Sequence, residues 1–160
     1  MVRPAASHAD AQSTFVRALT GYLPHMSSDA PALHLHVSMT GAMTSIAARR
    51  EVRRLLHDRA GTAELDAVLL ATSELLNNAL AYNGGRCELS VWYPWTPSIV
   101  RVEVADSGRT LPTMPAVPSP SQLSGRGLNI VDTLVDRWGA EPRPEGKIVW
   151  FEIDEPHPEH

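Results

Sequence analysis

The 160-residue sequence contains a single cysteine, Cys87, which excludes an internal disulfide and any multi-cysteine metal site and fits a reducing compartment. It also lacks any apolar run near the ~20 residues that a membrane-spanning helix needs, and Met1 to Asp10 carries no apolar segment of signal-peptide length. A soluble, cytoplasmic protein with no membrane contact is the expectation. Positive charge is not concentrated: 14 Lys and Arg against 18 Asp and Glu give a net charge of -4. The one dense stretch, Arg49-Arg50-Glu51-Val52-Arg53-Arg54, reads as the solvated face of a helix, so direct nucleic-acid binding is not expected. Seven histidines are present without carboxylate or cysteine at ligand spacing, and they read as strand surface and tail. There is no internal repeat, no Gly-Lys-Ser/Thr phosphate loop and no Rossmann fingerprint.

What is present fits one domain with a sizeable core, since 43% of the residues are hydrophobic. Residues 1–29 read as an N-terminal arm, either a short helix through Phe15, Leu19 and Leu23 or a disordered segment. Residues 30–154 form the domain proper, and residues 155–160 form a tail. Strict alternation in Leu33-His34-Leu35-His36-Val37 predicts a strand, and helical spacing of Ile46, Val52, Leu55 and Leu56 predicts a helix over 41–60, ended by Gly61. A second helix is expected from an N-cap at Thr62 to about Tyr82, with Glu64 and Asp66 in its first turn. Residues 87–93 and 99–104 read as an antiparallel hairpin, with Arg101 and Glu103 opposite in face to Val100, Val102 and Val104. Four prolines between 110 and 122 exclude regular structure there and suggest a lid. A short helix over 127–136 and a strand over 146–153 complete the pattern.

Three segments could carry chemistry. In Glu74-Leu75-Leu76-Asn77-Asn78, residues four apart lie about 6 Å apart along one helix face, so Glu74 and Asn78 can converge on one point. Asn78 offers a carbonyl oxygen to Mg2+, and Glu74 can orient or deprotonate a hydroxyl or water. In Asp106-Ser107-Gly108 a carboxylate ends a strand beside a glycine that permits close approach by a ring, and it could accept the exocyclic amine of adenine. Ser124-Gly125-Arg126-Gly127-Leu128 opens a helix whose free N–H groups suit an anion, with Arg126 as a further phosphate contact. Taken singly, each has an ordinary structural reading: exposed helix surface, a turn, a capped loop-to-helix junction.

Together, and in this order, the segments resemble the ATP-binding domain shared by gyrase, Hsp90, histidine kinases and MutL, the GHKL superfamily. Ser73 to Leu80 looks like its N box, Asp106-Ser107-Gly108 like its first glycine box, and Gly125-Arg126-Gly127-Leu128-Asn129-Ile130-Val131 like its second. Asp136-Arg137-Trp138-Gly139 and Gly146-Lys147-Ile148-Val149-Trp150-Phe151 are similar to the endings of the small anti-sigma-factor, serine-kinase-like regulators of actinobacteria. The resemblance implies an α/β (α+β) two-layer sandwich of the Bergerat type, a mixed, mostly antiparallel sheet with helices on one face and an ATP lid. It implies ATP and Mg2+ as cofactors, Glu74 as catalytic base and Asn78 as Mg2+ ligand. ATP contacts would come from Asn77, Asn78, Tyr82, Asp106, Gly108, Ser124, Gly125, Arg126, Gly127, Leu128 and Lys147. The partners implied are a phosphoacceptor anti-sigma antagonist and a sigma factor, with a homodimer as the assembly.

The sequence departs from the family pattern at three places: Thr110 stands where the first glycine box usually has a second glycine, Ala81-Tyr82 follows the N box, and Ile148 stands where many members have Thr. The leading expectation is an anti-sigma-factor serine/threonine protein kinase that controls transcription by partner switching. The alternative is a catalytically weak nucleotide-binding module that sequesters a sigma factor or antagonist, and ATP hydrolysis driving a conformational cycle ranks third.

Overall fold

The structure is a computed structural model, and it describes residues 15–20, 33–40, 44–82, 86–93, 99–112 and 126–154. Among these described residues six strands form one sheet: β1 (Phe15–Thr20), β2 (Leu33–Thr40), β3 (Arg86–Tyr93), β4 (Ile99–Asp106), β5 (Arg137–Arg143) and β6 (Gly146–Asp154). Helices α1 (Thr44–Leu56), α2 (Thr62–Tyr82) and α3 (Arg126–Leu134) accompany it. The strand order is β1-β2-β3-β4-β6-β5, and every described pairing is antiparallel. The two-layer α+β fold is therefore as expected, and the strand pairings among the described residues are all antiparallel.

Period-two alternation builds the core. Leu35, Val37 and Met39 of β2, Cys87, Leu89 and Val91 of β3, Val100, Val102 and Val104 of β4, and Val149, Phe151 and Ile153 of β6 are all buried on one face. The helices cover that face. On α1, Ala48, Val52 and Leu56 recur at intervals of four and are buried, while Arg49, Arg50, Arg53 and Arg54 stay exposed as expected. This helix stops at Leu56, earlier than Ala60, where a turn takes over with the Ala60 N–H donating to the Leu56 carbonyl at 3.0 Å. Central α2 touches α1, α3 and strands β3, β4 and β6, which is why its sequence is apolar around most of its girth. Its first hydrogen bond runs from Leu65 N–H to the Gly61 carbonyl at 2.9 Å, so Gly61, one residue before the expected Thr62, is the cap. Glu64 folds its carboxylate back over Gly61, where the helix dipole favours negative charge.

Two elements depart from the sequence expectations. Phe15–Thr20, read as part of a helix or disordered arm, is an edge strand whose register places Val16 opposite Val37 and Ala18 opposite Leu35. Pairing with β2 supplies the long-range hydrogen bonds that override a weak local pattern. Arg137–Arg143 is a further strand that was not anticipated, because Gly139 and Pro142 are poor strand residues. It lies at the sheet edge, where proline is tolerated, and pairs only with β6. Gly139 lies opposite Trp150, and a Cβ there would come within 2.8 Å of the indole, so the missing side chain makes room for the ring. The lid expected over 110–122 falls mostly outside the described residues, which there include only Thr110, Leu111 and Pro112.

Candidate functional site

Glu74 and Asn78 lie one turn apart on α2, both half-buried, and neither side chain makes a hydrogen bond to any described residue. Leu128 and Val131, both buried, anchor α3 in the core and bring its first turn against this face of α2. The approach is close at Gly127. A Cβ on this residue would stand 2.8 Å from Glu74 Oε2, 3.5 Å from Asn78 Nδ2 and 3.6 Å from Asn78 Oδ1. Residues from the first and third sequence segments thus meet at one place, where a side chain at position 127 would crowd the Glu74 carboxylate and touch the Asn78 amide.

Asp106 ends β4 on the same, helix-covered face, directly opposite Lys147 of β6. Its Oδ1 accepts two hydrogen bonds, from the Gly108 N–H at 2.7 Å and from Lys147 Nζ at 2.9 Å. The Gly108 bond is an Asx turn, the local reason for Asp-x-Gly at a strand end. The side chains of Asp106 and Lys147 are only 2% and 12% exposed, so this is a largely desolvated ion pair. Asp106 Oδ2 accepts no hydrogen bond among the described residues. Gly146 fixes the spacing: its φ is 153°, and a Cβ would collide with the Asp106 carbonyl oxygen, so only glycine lets β6 begin this close to β4.

Both members of the pair line a cleft of about 830 Å3 at this end of the sheet, together with Met39, Cys87, Ser107 and Ile148. Arg86 and Arg143, both exposed, also line it. Cys87 is not a nucleophile here. Burial first, and the carboxylates of Asp106 and Glu88 second, push its thiol up to about 12, so it stays protonated and unreactive at neutral pH.

Of the expected site residues, the structure brings together Glu74, Asn78 and Gly127 in one group and Asp106, Gly108 and Lys147 in another, with Leu128 behind them as packing. Asn77 is exposed and out of phase with the Glu74–Asn78 pair. Tyr82 and Arg126 are the last residue of α2 and the first of α3, with side chains outside the described residues, as are Ser124 and Gly125 altogether. Sequence reasoning missed the seat made by Gly146 and the bond from Lys147 to Asp106. The signal for the latter was the alternation in β4 and β6, which puts the last residue of one and the second of the other on the core face.

In comparison with known families, the histidine kinase-like ATPase domain matches residues 40–153. The chain therefore belongs to the histidine kinase-like ATPase domains, an ATP-binding family. No significant match to a curated protein is found. The matched region runs from the end of β2 to the end of β6 and takes in both residue groups. Among the described residues no group of three or more His, Cys, Asp or Glu could hold a metal by itself, and no helix is long and apolar enough to cross a membrane.

Proposed function

We propose that this domain binds Mg-ATP between α2, α3 and the Asp106 end of the sheet and transfers its terminal phosphoryl group to a serine or threonine of a protein partner. The observation that carries the reading is the meeting of unbonded Glu74 and Asn78 at Gly127. Both are half-buried and neither side chain is engaged by a described residue, so their polar atoms are available to a polar guest.

The residues fit that ligand. Asn78 presents a neutral oxygen donor suited to Mg2+, which takes the rest of its shell from phosphates and water. The start of α3 offers backbone N–H groups and the positive end of a helix dipole to the phosphates. Asp106 Oδ2 is the acceptor for the exocyclic amine of adenine. When bound, Mg-ATP supplies the electrophilic phosphoryl group and its leaving group. Glu74 then orients the acceptor hydroxyl and takes its proton on a carboxylate oxygen that no protein donor occupies. Gly127 keeps the space beside that oxygen open.

As regulator, the domain would phosphorylate an anti-sigma antagonist and hold a sigma factor as a cytoplasmic homodimer, in line with the sequence resemblance. A second reading, a binding module without efficient transfer, draws on Thr110, which is exposed just past the Asx turn where a glycine would give the lid more backbone freedom. Incubation with γ-labelled ATP and antagonist proteins separates the two. Label on a partner serine that disappears in Glu74→Gln while ATP binding persists supports the kinase; a stable complex with no label transferred supports the module.

A further inference from the structure

The outward face of α1 is basic in a chain that is not. The helix carries Arg49, Arg50, Arg53 and Arg54 against Glu51 alone, whereas the whole chain has a net charge of -4. Helical spacing puts the four arginines on one side, opposite buried Ala48, Val52 and Leu56, and all four are exposed. Of the four, Arg54 alone makes an ion pair with a described residue, Glu51 at 3.5 Å, and its side chain is still 75% exposed. Ile46 lies one turn before Arg49 and Arg50 on the same side and, at 58% exposure, is the most exposed large hydrophobic residue among those described.

Helix formation does not ask for this pattern. Arg53 and Arg54, in the last turn, suit the helix dipole. Arg49 and Arg50 lie outside that turn, each four residues from another arginine, and like charges at that spacing disfavour the helix. We infer that this face is a docking surface for an acidic segment of a protein partner, whose carboxylates pair with the arginines and whose apolar side chain covers Ile46. Guanidinium forks match carboxylates with paired hydrogen bonds and are more weakly hydrated than an ammonium, which suits them to interfaces between proteins. A lipid bilayer fits less well, because an interfacial helix needs a free apolar face and that of α1 is buried in the core. Nucleic acid also fits less well, because a polyanion repels a chain of net negative charge, while a short acidic segment meets only the patch. Helix α1 packs on α2, β2 and β3, and α3 packs on α2 and β5, so this surface lies across α2 from the Gly127 contact and is independent of the nucleotide reading.

The probe is a fluorescein-labelled peptide with one leucine followed by glutamates at i, i+4 intervals, titrated into the full chain and followed by fluorescence anisotropy. The expected result is saturable binding at low salt that weakens about tenfold when the ionic strength is raised to ~0.5 M. Arg49→Glu/Arg50→Glu should abolish that binding. The same double variant turns two repulsive i, i+4 pairs into Glu-to-Arg pairs of the favourable orientation, so its thermal midpoint should equal or exceed that of the wild type. Lost binding with an undiminished midpoint supports docking, because a merely structural role for Arg49 and Arg50 would lower the midpoint. Replacing the peptide's leucine by serine should weaken binding to the wild type, and equal affinity for both peptides overturns the part given to Ile46. The inference as a whole is overturned by a wild type that does not bind the acidic peptide, by an affinity unchanged in the double variant, or by a wild type that prefers duplex DNA or phosphatidylserine vesicles. Should the double variant fail to fold, amide hydrogen exchange of the wild type decides: added protection over Thr44–Leu56 with the peptide supports the inference, and protection confined to other segments overturns it.

Discussion

The sheet carries charged side chains on both faces, and the two faces treat them oppositely. On the face away from the helices, Arg101 bonds Glu103 at 2.8 Å and Glu152 at 2.6 Å, and its guanidinium lies 4.4 Å from the Trp150 ring centroid. Glu152 gives its other oxygen to Arg137 at 2.8 Å, and Arg137 goes on to Asp154, whose carboxyl it holds below the usual range chiefly by hydrogen bonding. Every carboxylate of this ladder is occupied by the chain itself. On the helix-covered side the side chains of Glu74 and Asn78, on α2, form no hydrogen bond to a described residue, and Asp106 is half-occupied. Saturation suits charges that hold the sheet together, and vacancy suits the ligand-binding role proposed for the other group. Substitutions on the outer face should therefore cost stability without touching nucleotide binding, and those at Glu74 and Asn78 the reverse.

Asp106 belongs to both classes, so Asp106→Ala carries the largest expected effect. It strands the Lys147 ammonium in a largely desolvated place, costing about 3 kcal/mol in denaturant unfolding, and it removes the base acceptor, so calorimetry should detect no nucleotide binding. A variant of wild-type stability would show that the pair is not formed in solution. Arg101→Ala comes next. Glu103 and Glu152, at 16% and 12% exposure, lose their shared counter-ion and Trp150 loses its stacked cation, for a cost of about 2 kcal/mol with Mg-ATP affinity unchanged. Weakened nucleotide binding in this variant would break the division between the faces. Asn78→Ala should leave stability within about 0.5 kcal/mol of the wild type yet weaken Mg-ATP at least tenfold, an effect absent when Mg2+ is withheld. An unchanged affinity would place the metal elsewhere.

How far this division could be read beforehand depends on the range of the forces involved. The placement of Glu74 beside Asn78 was legible because the helix period alone sets it, and the β3–β4 hairpin was legible because Val100, Val102 and Val104 alternate so strictly. The edge strand β1 was not, since Phe15 to Thr20 has too little contrast between its faces to declare itself without β2. β5 was hidden by Gly139 and Pro142, whose roles appear only with Trp150 and the free edge in view. The contact of Gly127 with Glu74 and the bond from Lys147 to Asp106 join residues far apart in the chain; packing of α3 on α2 and the β4–β6 register create them. Local chemistry thus nominated the site residues, and tertiary structure decided which of them meet.

The smallest expected effect lies where the two classes adjoin. Cys87 sits beside Asp106 on the covered face, and its thiol ionises near 12 in the folded protein against 9.0 for an ordinary cysteine. Below pH 9 the thiol is protonated in both folded and unfolded chains, so it contributes no pH dependence. Above pH 9 only the unfolded chain releases the proton, which favours unfolding progressively until the folded thiol titrates near pH 12. Denaturant unfolding between pH 9 and 11 should show stability falling faster in the wild type than in Cys87→Ala, which cannot ionise there and is otherwise the same chain. The native protein should also resist iodoacetamide at pH 8.5 until it is unfolded. Parallel pH profiles, or rapid alkylation of the native protein, would mean that water reaches Cys87 and hence the Asp106 end of the sheet, and the low exposure on which the Asp106–Lys147 argument depends would then be lost.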